Sequence, residues 1–318
     1  MKSKKFVATV ISILVLISVN AQNDLLFTHF SQNPVYYNPA FTGSIDKANA
    51  TFQHRTQWAG YTGTIDQGGA PSTQLGSIAI PSQKYVSGFG LVITNDQLGE
   101  LQSFNIQGQI SFNLPLNSGD LSIGIAPALY SQSINGSLFR AVDNPDALIP
   151  LANESQARPN LNVGLFFDSF RDYYVGIAVN NILEPSFDFS TDAENRIYSL
   201  SYLIHAGKTI GITRELTLQP NALVRTDLNN VTFDVNAIFT YEETYHVGLG
   251  MRREESASLY LGYNLLENKQ LYIGYSLDYV IQNQDAKQPT SHEIFVRYNL
   301  PSLVFGGRKA IKTPRFTF

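Results

Sequence analysis

Between Ser103 and Leu114 the side chains fall into two interleaved series, and no other property of the chain limits its fold so tightly. Phe104, Ile106, Gly108, Ile110, Phe112 and Leu114 are apolar or small, whereas Ser103, Asn105, Gln107, Gln109, Ser111 and Asn113 are polar and uncharged. Successive side chains of a β-strand point to opposite faces, so this period of two predicts a strand with one apolar and one wettable face. At roughly 3.3 Å per residue and a tilt near 45°, about ten such residues cross a bilayer core. Repeated along the chain, the pattern predicts an all-β fold, a transmembrane up-and-down β-barrel of about 14 antiparallel strands.

Residues 1–21 read as a signal peptide. Lys2, Lys4 and Lys5 precede an apolar run from Phe6 to Ile17, and Val19-Asn20-Ala21 places slender residues before a cut ahead of Gln22. The run is shorter than the about 20 apolar residues of a spanning helix, and no later run approaches that length, which excludes a helical membrane protein. The chain has no cysteine, so lipidation after the cut, disulfides and thiolate metal sites are excluded. Charged residues make up only 15%, sparse for a soluble protein, while Tyr and Phe are abundant, as suits a wall facing lipid. A formal charge of −4 without a basic cluster outside the tail gives no expectation of nucleic acid.

The mature chain divides into an irregular segment at 22–46, a barrel at 47–300 and a basic, aromatic tail at 301–318. In the first, Asn33-Pro34 and Asn38-Pro39 argue against a strand. Two readings stand for it: an ordered segment tucked into the barrel mouth, or a flexible leader. From Ala48 onward we read strand-like runs at 48–58, 73–82, 86–95, 102–114, 119–133, 158–168, 173–182, 196–211, 215–226, 230–241, 244–252, 256–265, 270–279 and 292–300. The even-numbered connections between them are short. The longest, 59–72, 134–157, 183–195 and 280–291, are all odd-numbered and therefore emerge on one side. Outer-membrane barrels have short periplasmic turns and long outer loops, which places both termini in the periplasm. Paired seven-stranded sandwiches would share the alternation but not this loop order. A single barrel of this size is too wide for side chains to fill, so its apolar face must turn to lipid. Pro81, Pro127 and Pro220 cannot donate to a ladder and predict bulges or strand ends.

The alternation places Gln53, Arg55, Gln57, His205, Gln219, Asn221, Arg225, Asp234, His246, Asp278 and Arg297 inside the barrel. Arg225, Asp234, Asp278 and Arg297 are candidates for an internal polar network. A tight turn near Leu228-Asn229 would bring Arg225 and Asp234 within diagonal reach. The alternative is a set of separate, solvated side chains. The histidines, His29, His54, His205, His246 and His292, are far apart and lack the spacing of a zinc-protease pair, and no Gly-x-Ser-x-Gly elbow occurs. No catalytic site, metal or cofactor is expected. His54 with nearby Ser and Asn leaves a lipid-modifying enzyme as a rival, a wall histidine being the simpler reading.

Several segments together resemble the PorP/SprF family of outer-membrane proteins of type IX secretion and gliding bacteria. They are His29-Phe30-Ser31-Gln32, Tyr37-Asn38-Pro39-Ala40-Phe41-Thr42-Gly43-Ser44, His54-Arg55-Thr56-Gln57-Trp58-Ala59-Gly60 and Gly69-Ala70-Pro71-Ser72-Thr73. Gly88-Phe89-Gly90-Leu91, Asn95-Asp96-Gln97-Leu98-Gly99 and Ile273-Gly274-Tyr275-Ser276-Leu277-Asp278 continue the likeness in order. The resemblance implies a non-enzymatic barrel in outer-membrane lipid that supports export or surface attachment of a large adhesin bearing a C-terminal secretion domain. It also implies contact with other components of the machine on the periplasmic side. Gln32, Asn38, Pro39, Ala40, Gly43, Arg55, Gln57 and Trp58, with Arg315 and Phe318 of the tail, are then candidate partner or plug contacts. The aromatic C-terminus also fits an assembly signal. The alternative from another class is a passive outer-membrane pore or small-molecule transporter.

Overall fold

A computed structural model describes residues 25–61, 69–82, 86–135, 153–189, 196–282 and 287–301. The alternating runs form strands β1 (Asn49–Thr56), β2 (Ser72–Pro81), β3 (Gly88–Leu98), β4 (Leu101–Leu116), β5 (Gly119–Asn135), β6 (Asn153–Ser169) and β7 (Tyr173–Asn180). They continue as β8 (Ser201–Lys208), β9 (Leu216–Thr226), β10 (Val231–Tyr241), β11 (Tyr245–Arg252), β12 (Ser256–Leu265), β13 (Leu271–Val280) and β14 (Thr290–Asn299). Each strand pairs antiparallel with the next, and β14 returns to β1, Asn49 opposite Asn299 and Thr56 opposite His292. The result is a closed antiparallel barrel of 14 strands.

Two expectations are corrected. The run at 196–211 enters the wall only at Ser201, because Arg196–Ile197 pairs with Ser186–Phe187 as a short ribbon. Phe187, Phe189 and Tyr198 bury themselves against Leu101 and Ile134, which draws this connection over the barrel end instead of extending the wall. The prolines also behave differently from expectation. Pro81 does end β2, but Pro127 and Pro220 lie inside β5 and β9 without a bulge. Beside Pro127 the β4–β5 pairing skips from Gln107–Ala128 to Ile110–Ile125 in unchanged register. Beside Pro220 the pairing of β8 stops at Gly207–Asn221 and resumes at Ile210–Leu218. A missing N–H removes a rung, while the ring's φ still suits an extended chain.

The outward face is apolar. Phe52, Ile78, Phe104, Ile110, Phe112, Ile123, Ile125, Ile177, Ile204, Val247, Leu249, Leu261, Ile273 and Ile294 are all exposed on it. So continuous an apolar belt is untenable in water and matches the lipid-facing band of a membrane barrel. Tyr173, Tyr241, Tyr245 and Tyr263 edge it at the short-turn end, where amphipathic rings suit the bilayer interface.

The lumen is filled. Residues from Leu25 to Ala48 form three short helical turns, Phe30–Gln32, Pro34–Tyr37 and Pro39–Gly43, and Phe27, His29, Phe30, Val35, Tyr37, Asn38, Ala40 and Thr42 are all buried. Thr28 and His29 lie beside Asp278 and Glu293, near the long-loop ends of β13 and β14. Thr42 lies beside Ser111 and Gly88, near the short-turn ends of β4 and β3. The segment therefore runs the length of the lumen before entering β1.

Candidate functional site

Inward side chains on the wall are chosen to receive this plug. At the long-loop end, Glu293 accepts from the backbone N–H groups of Thr28 (2.7 Å) and His29 (2.8 Å) and from Gln53 Nε2 (2.7 Å). His29 Nδ1 lies 2.7 Å from the same carboxylate. Arg55 Nη1 donates to Asp278 Oδ2 and to Thr28 Oγ1, both at 2.6 Å, and reaches Glu293 Oε2 at 3.3 Å. Thr28 Oγ1 in turn donates to Asp278 (2.7 Å). Arg252 Nε donates to Asp234 Oδ1 (2.6 Å), and its Nη2 donates to the Phe27 carbonyl (3.3 Å). Tyr260 donates its hydroxyl to the Thr28 carbonyl (2.9 Å). Burying charge costs free energy unless each ion is paired and bonded, and here opposite charges from five strands share one shell around Phe27–His29.

Midway, Gln109 Nε2 donates to the Val35 carbonyl (2.8 Å), and Arg297 donates to the carbonyl (3.2 Å) and side chain (3.5 Å) of Gln32. Arg225 sits over the ring of Tyr37, 5.9 Å from its centroid. Asn38 is wholly buried. Its Nδ2 donates to the Leu165 carbonyl (2.9 Å) and lies 3.1 Å from His205 Nε2, while its Oδ1 accepts from the N–H of Ala40 (2.9 Å) and so caps the next turn.

At the short-turn end the wall is made of glycine. A Cβ on Gly88 would meet the Thr42 carbonyl, one on Gly124 the backbone of Pro39 and Ala40, and one on Gly164 the side chain of Asn38. Gly43 returns the relationship, lying against Ser111 and Ser122. Missing side chains on the wall thus form the groove that admits the plug backbone.

The candidates from the sequence divide accordingly. Gln32, Asn38, Pro39, Ala40, Gly43, Arg55, Arg225, Asp234, Asp278 and Arg297 all lie within the lumen. Asp234 is joined to Arg252, and Arg225 faces Tyr37. Gln57 and Trp58 follow β1 at the long-loop rim, where the Gln57 N–H donates to the Pro71 carbonyl and Lys287 Nζ lies 5.3 Å from the Trp58 ring. Arg315 and Phe318 lie outside the described residues. Sequence reasoning missed Glu293, Arg252 and Thr28 as partners. The parity that assigned Arg297 and His246 to the lumen also assigns Glu293 and Arg252 to it. His54 faces outward, where its ring contacts Gln74 and Thr56.

A family model described as type IX secretion system membrane protein PorP/SprF matches residues 19–298. No curated protein matches in sequence. Among solved structures the chain is similar to the Ralstonia pickettii toluene transporter TbuX, with TM-score 0.53 and 10% identity over 83% of this chain and 92% of that one. It is also similar to a Pseudomonas aeruginosa FadL homologue, with TM-score 0.49 and 12% identity over 83% and 93%. At such identities the likeness concerns the barrel alone.

Proposed function

Because the chain belongs to the PorP/SprF family of type IX secretion system membrane proteins, we propose that it is a non-enzymatic, closed scaffold in the outer membrane. In this role it holds an exported adhesin, or subunits of the secretion machine, at the cell surface. The observation that carries this reading is the occupied lumen, bonded to its plug along the whole length, which leaves rims and loops as working surfaces. The long connections then face outward and the short turns face the periplasm. The plug begins at the opposite end, with Leu25 in the outer half beside Asn180, Asn181 and Arg225. In this reading β14 ends on the periplasmic side, while the plug starts from the outer half.

Planar-bilayer recording tests the closed state. The intact protein is expected to be silent, and a variant lacking residues 25–46 to conduct. Steady conductance from the intact protein would favour the rival reading of a passive pore or small-molecule transporter. Purification in mild detergent tests the partner, since recovery of neither a secretion subunit nor a surface adhesin would overturn the scaffold.

A further inference from the structure

On the lipid side of β1, β2 and β3 the apolar belt is interrupted. Outward residues alternate there with the buried Gln53, Arg55, Thr73, Leu75 and Thr94, and they change from apolar to polar partway along each strand. β1 offers Ala50 and Phe52 before His54, β2 offers Ile80, Ile78 and Gly76 before Gln74, and β3 offers Phe89, Leu91 and Ile93 before Asn95. Crossing a bilayer core takes about ten residues of a tilted strand. The outward residues of β4 meet that need, staying apolar or small from Phe104 to Leu116. Hydrocarbon also stands on both sides of the polar residues. His54 lies opposite Ile294 on β14, and Asn95 opposite Phe104 on β4, both of them exposed and apolar.

These polar side chains form one directed chain. Gln102 Nε2 donates to Asn95 Oδ1 (2.9 Å), Asn95 Nδ2 to Gln74 Oε1 (2.7 Å) and Gln74 Nε2 to His54 Nδ1 (3.3 Å). His54 Nε2 lies 3.2 Å from Thr56 Oγ1, which completes a run of uncharged groups. Among the described residues nothing takes the second N–H of each amide, and alkyl chains cannot. Next to this chain the wall lacks a side chain. Gly76 faces outward between Phe52 and Ile93 in an ordinary strand, and a Cβ added to it would meet nothing within 4 Å. Neither local packing nor backbone conformation therefore requires glycine here. A glycine inside a strand often marks close approach by another molecule. Irregular backbone does not enter hydrocarbon, so the cover at this depth is lipid or a second spanning wall.

We propose that the outward face of β1 and β2 pairs with the same face of a second copy, about a two-fold axis along the membrane normal that passes between Phe52 and Gly76. Such an axis leaves depth unchanged, so each polar chain meets its own kind. Uncharged amides carry both donors and acceptors and are complementary to themselves, and hydrogen bonds of this type join walls within a membrane. Phe52 is half exposed and adjoins Gly76 across the ladder, so the Phe52 ring of each copy enters the gap over Gly76 of the other. No Asp, Glu, Lys or Arg stands on the outward face of β1, β2 or β3, and like charges do not meet. A lipid headgroup is too shallow to reach His54, which adjoins Phe52 and Ile294. A second copy supplies the matching depth and gap by symmetry, which no other wall is bound to do. The pairing requires only the barrel in its membrane, whatever the barrel serves.

The test uses the full chain in its own outer membrane, with benzoylphenylalanine in place of Ile78 or, separately, Ile80, both outward on β2. Illumination is expected to join two copies of the chain from at least one of these positions. The same group in place of Ile204, outward on β8 across the barrel, is expected to leave the chain single. From the β2 positions, adducts only with lipid, only with another protein, or none overturn the dimer, as does an equal yield of paired chains from Ile204. Gly76→Leu then closes the gap, while the open space at its Cβ lets the barrel assemble. Each substitution acts twice across the axis, so the paired adduct is expected to fall by about tenfold. An undiminished adduct with Gly76→Leu assembled overturns the interface. Should that variant not assemble, Phe52→Ala is read in its place, with a fall supporting the interface and an undiminished adduct overturning it.

Discussion

Glu293 carries more of the plug's attachment than any other side chain, because its two oxygens serve His29, Thr28, Gln53 and Arg55 together. Replacing it by alanine leaves Asp278 as the one carboxylate on Arg55 and takes the carboxylate from a buried histidine. Breaking a buried ion pair costs about 3–5 kcal/mol, so Glu293→Ala is expected to lower markedly the temperature at which the folded barrel loses its fast mobility on unboiled gels. Arg225→Ala is expected to act in the same direction and more weakly, since it removes a cation over the Tyr37 ring. Glu255, in the turn after β11, gives a pH signature. Burial would raise its carboxyl, but the charges of Arg252 and Arg55 outweigh burial and hold it below its ordinary value of 4.5. A depressed folded-state value means stability that is present above the unfolded value and lost as pH falls through the folded one. The heat-resistance of the barrel should therefore decline as pH drops below about 4.5, and Glu255→Gln should make that decline shallower.

Among elements, the plug and the glycine groove are made for each other. Gly124→Ala places a methyl in the backbone of Pro39 and Ala40, which cannot retreat because Asn38 is tied to the Leu165 carbonyl. The wall is expected to assemble, since alanine suits a strand, while the plug is displaced; single-channel recording should then detect conductance absent from the parent. The direction of the plug is open to labelling, because the chain has no cysteine. With cysteine in place of Leu25 or Leu228, an impermeant maleimide should react on intact cells, and with cysteine in place of Asn117 only after permeabilisation. Labelling of Leu25→Cys solely after permeabilisation would reverse the threading.

At the scale of the whole molecule, the strand order, the outward apolar belt and the inward placement of Arg55, Arg225, Asp234, Asp278 and Arg297 were legible from period-two alternation. That period is a local property, fixed by the geometry of each strand whatever lies beside it. The prolines were misjudged because a skipped rung and a bulge look alike until the register of both neighbours is known. The plug could be read as an irregular segment and no further. Its contacts join residues as distant as His29 and Glu293, 264 positions apart, which meet only once β14 has closed on β1. The sequence by itself therefore determined a lipid-facing barrel with a polar interior. Tertiary structure alone decided that the interior is occupied and which charges meet across it, because both depend on ring closure and strand offsets that no local pattern encodes.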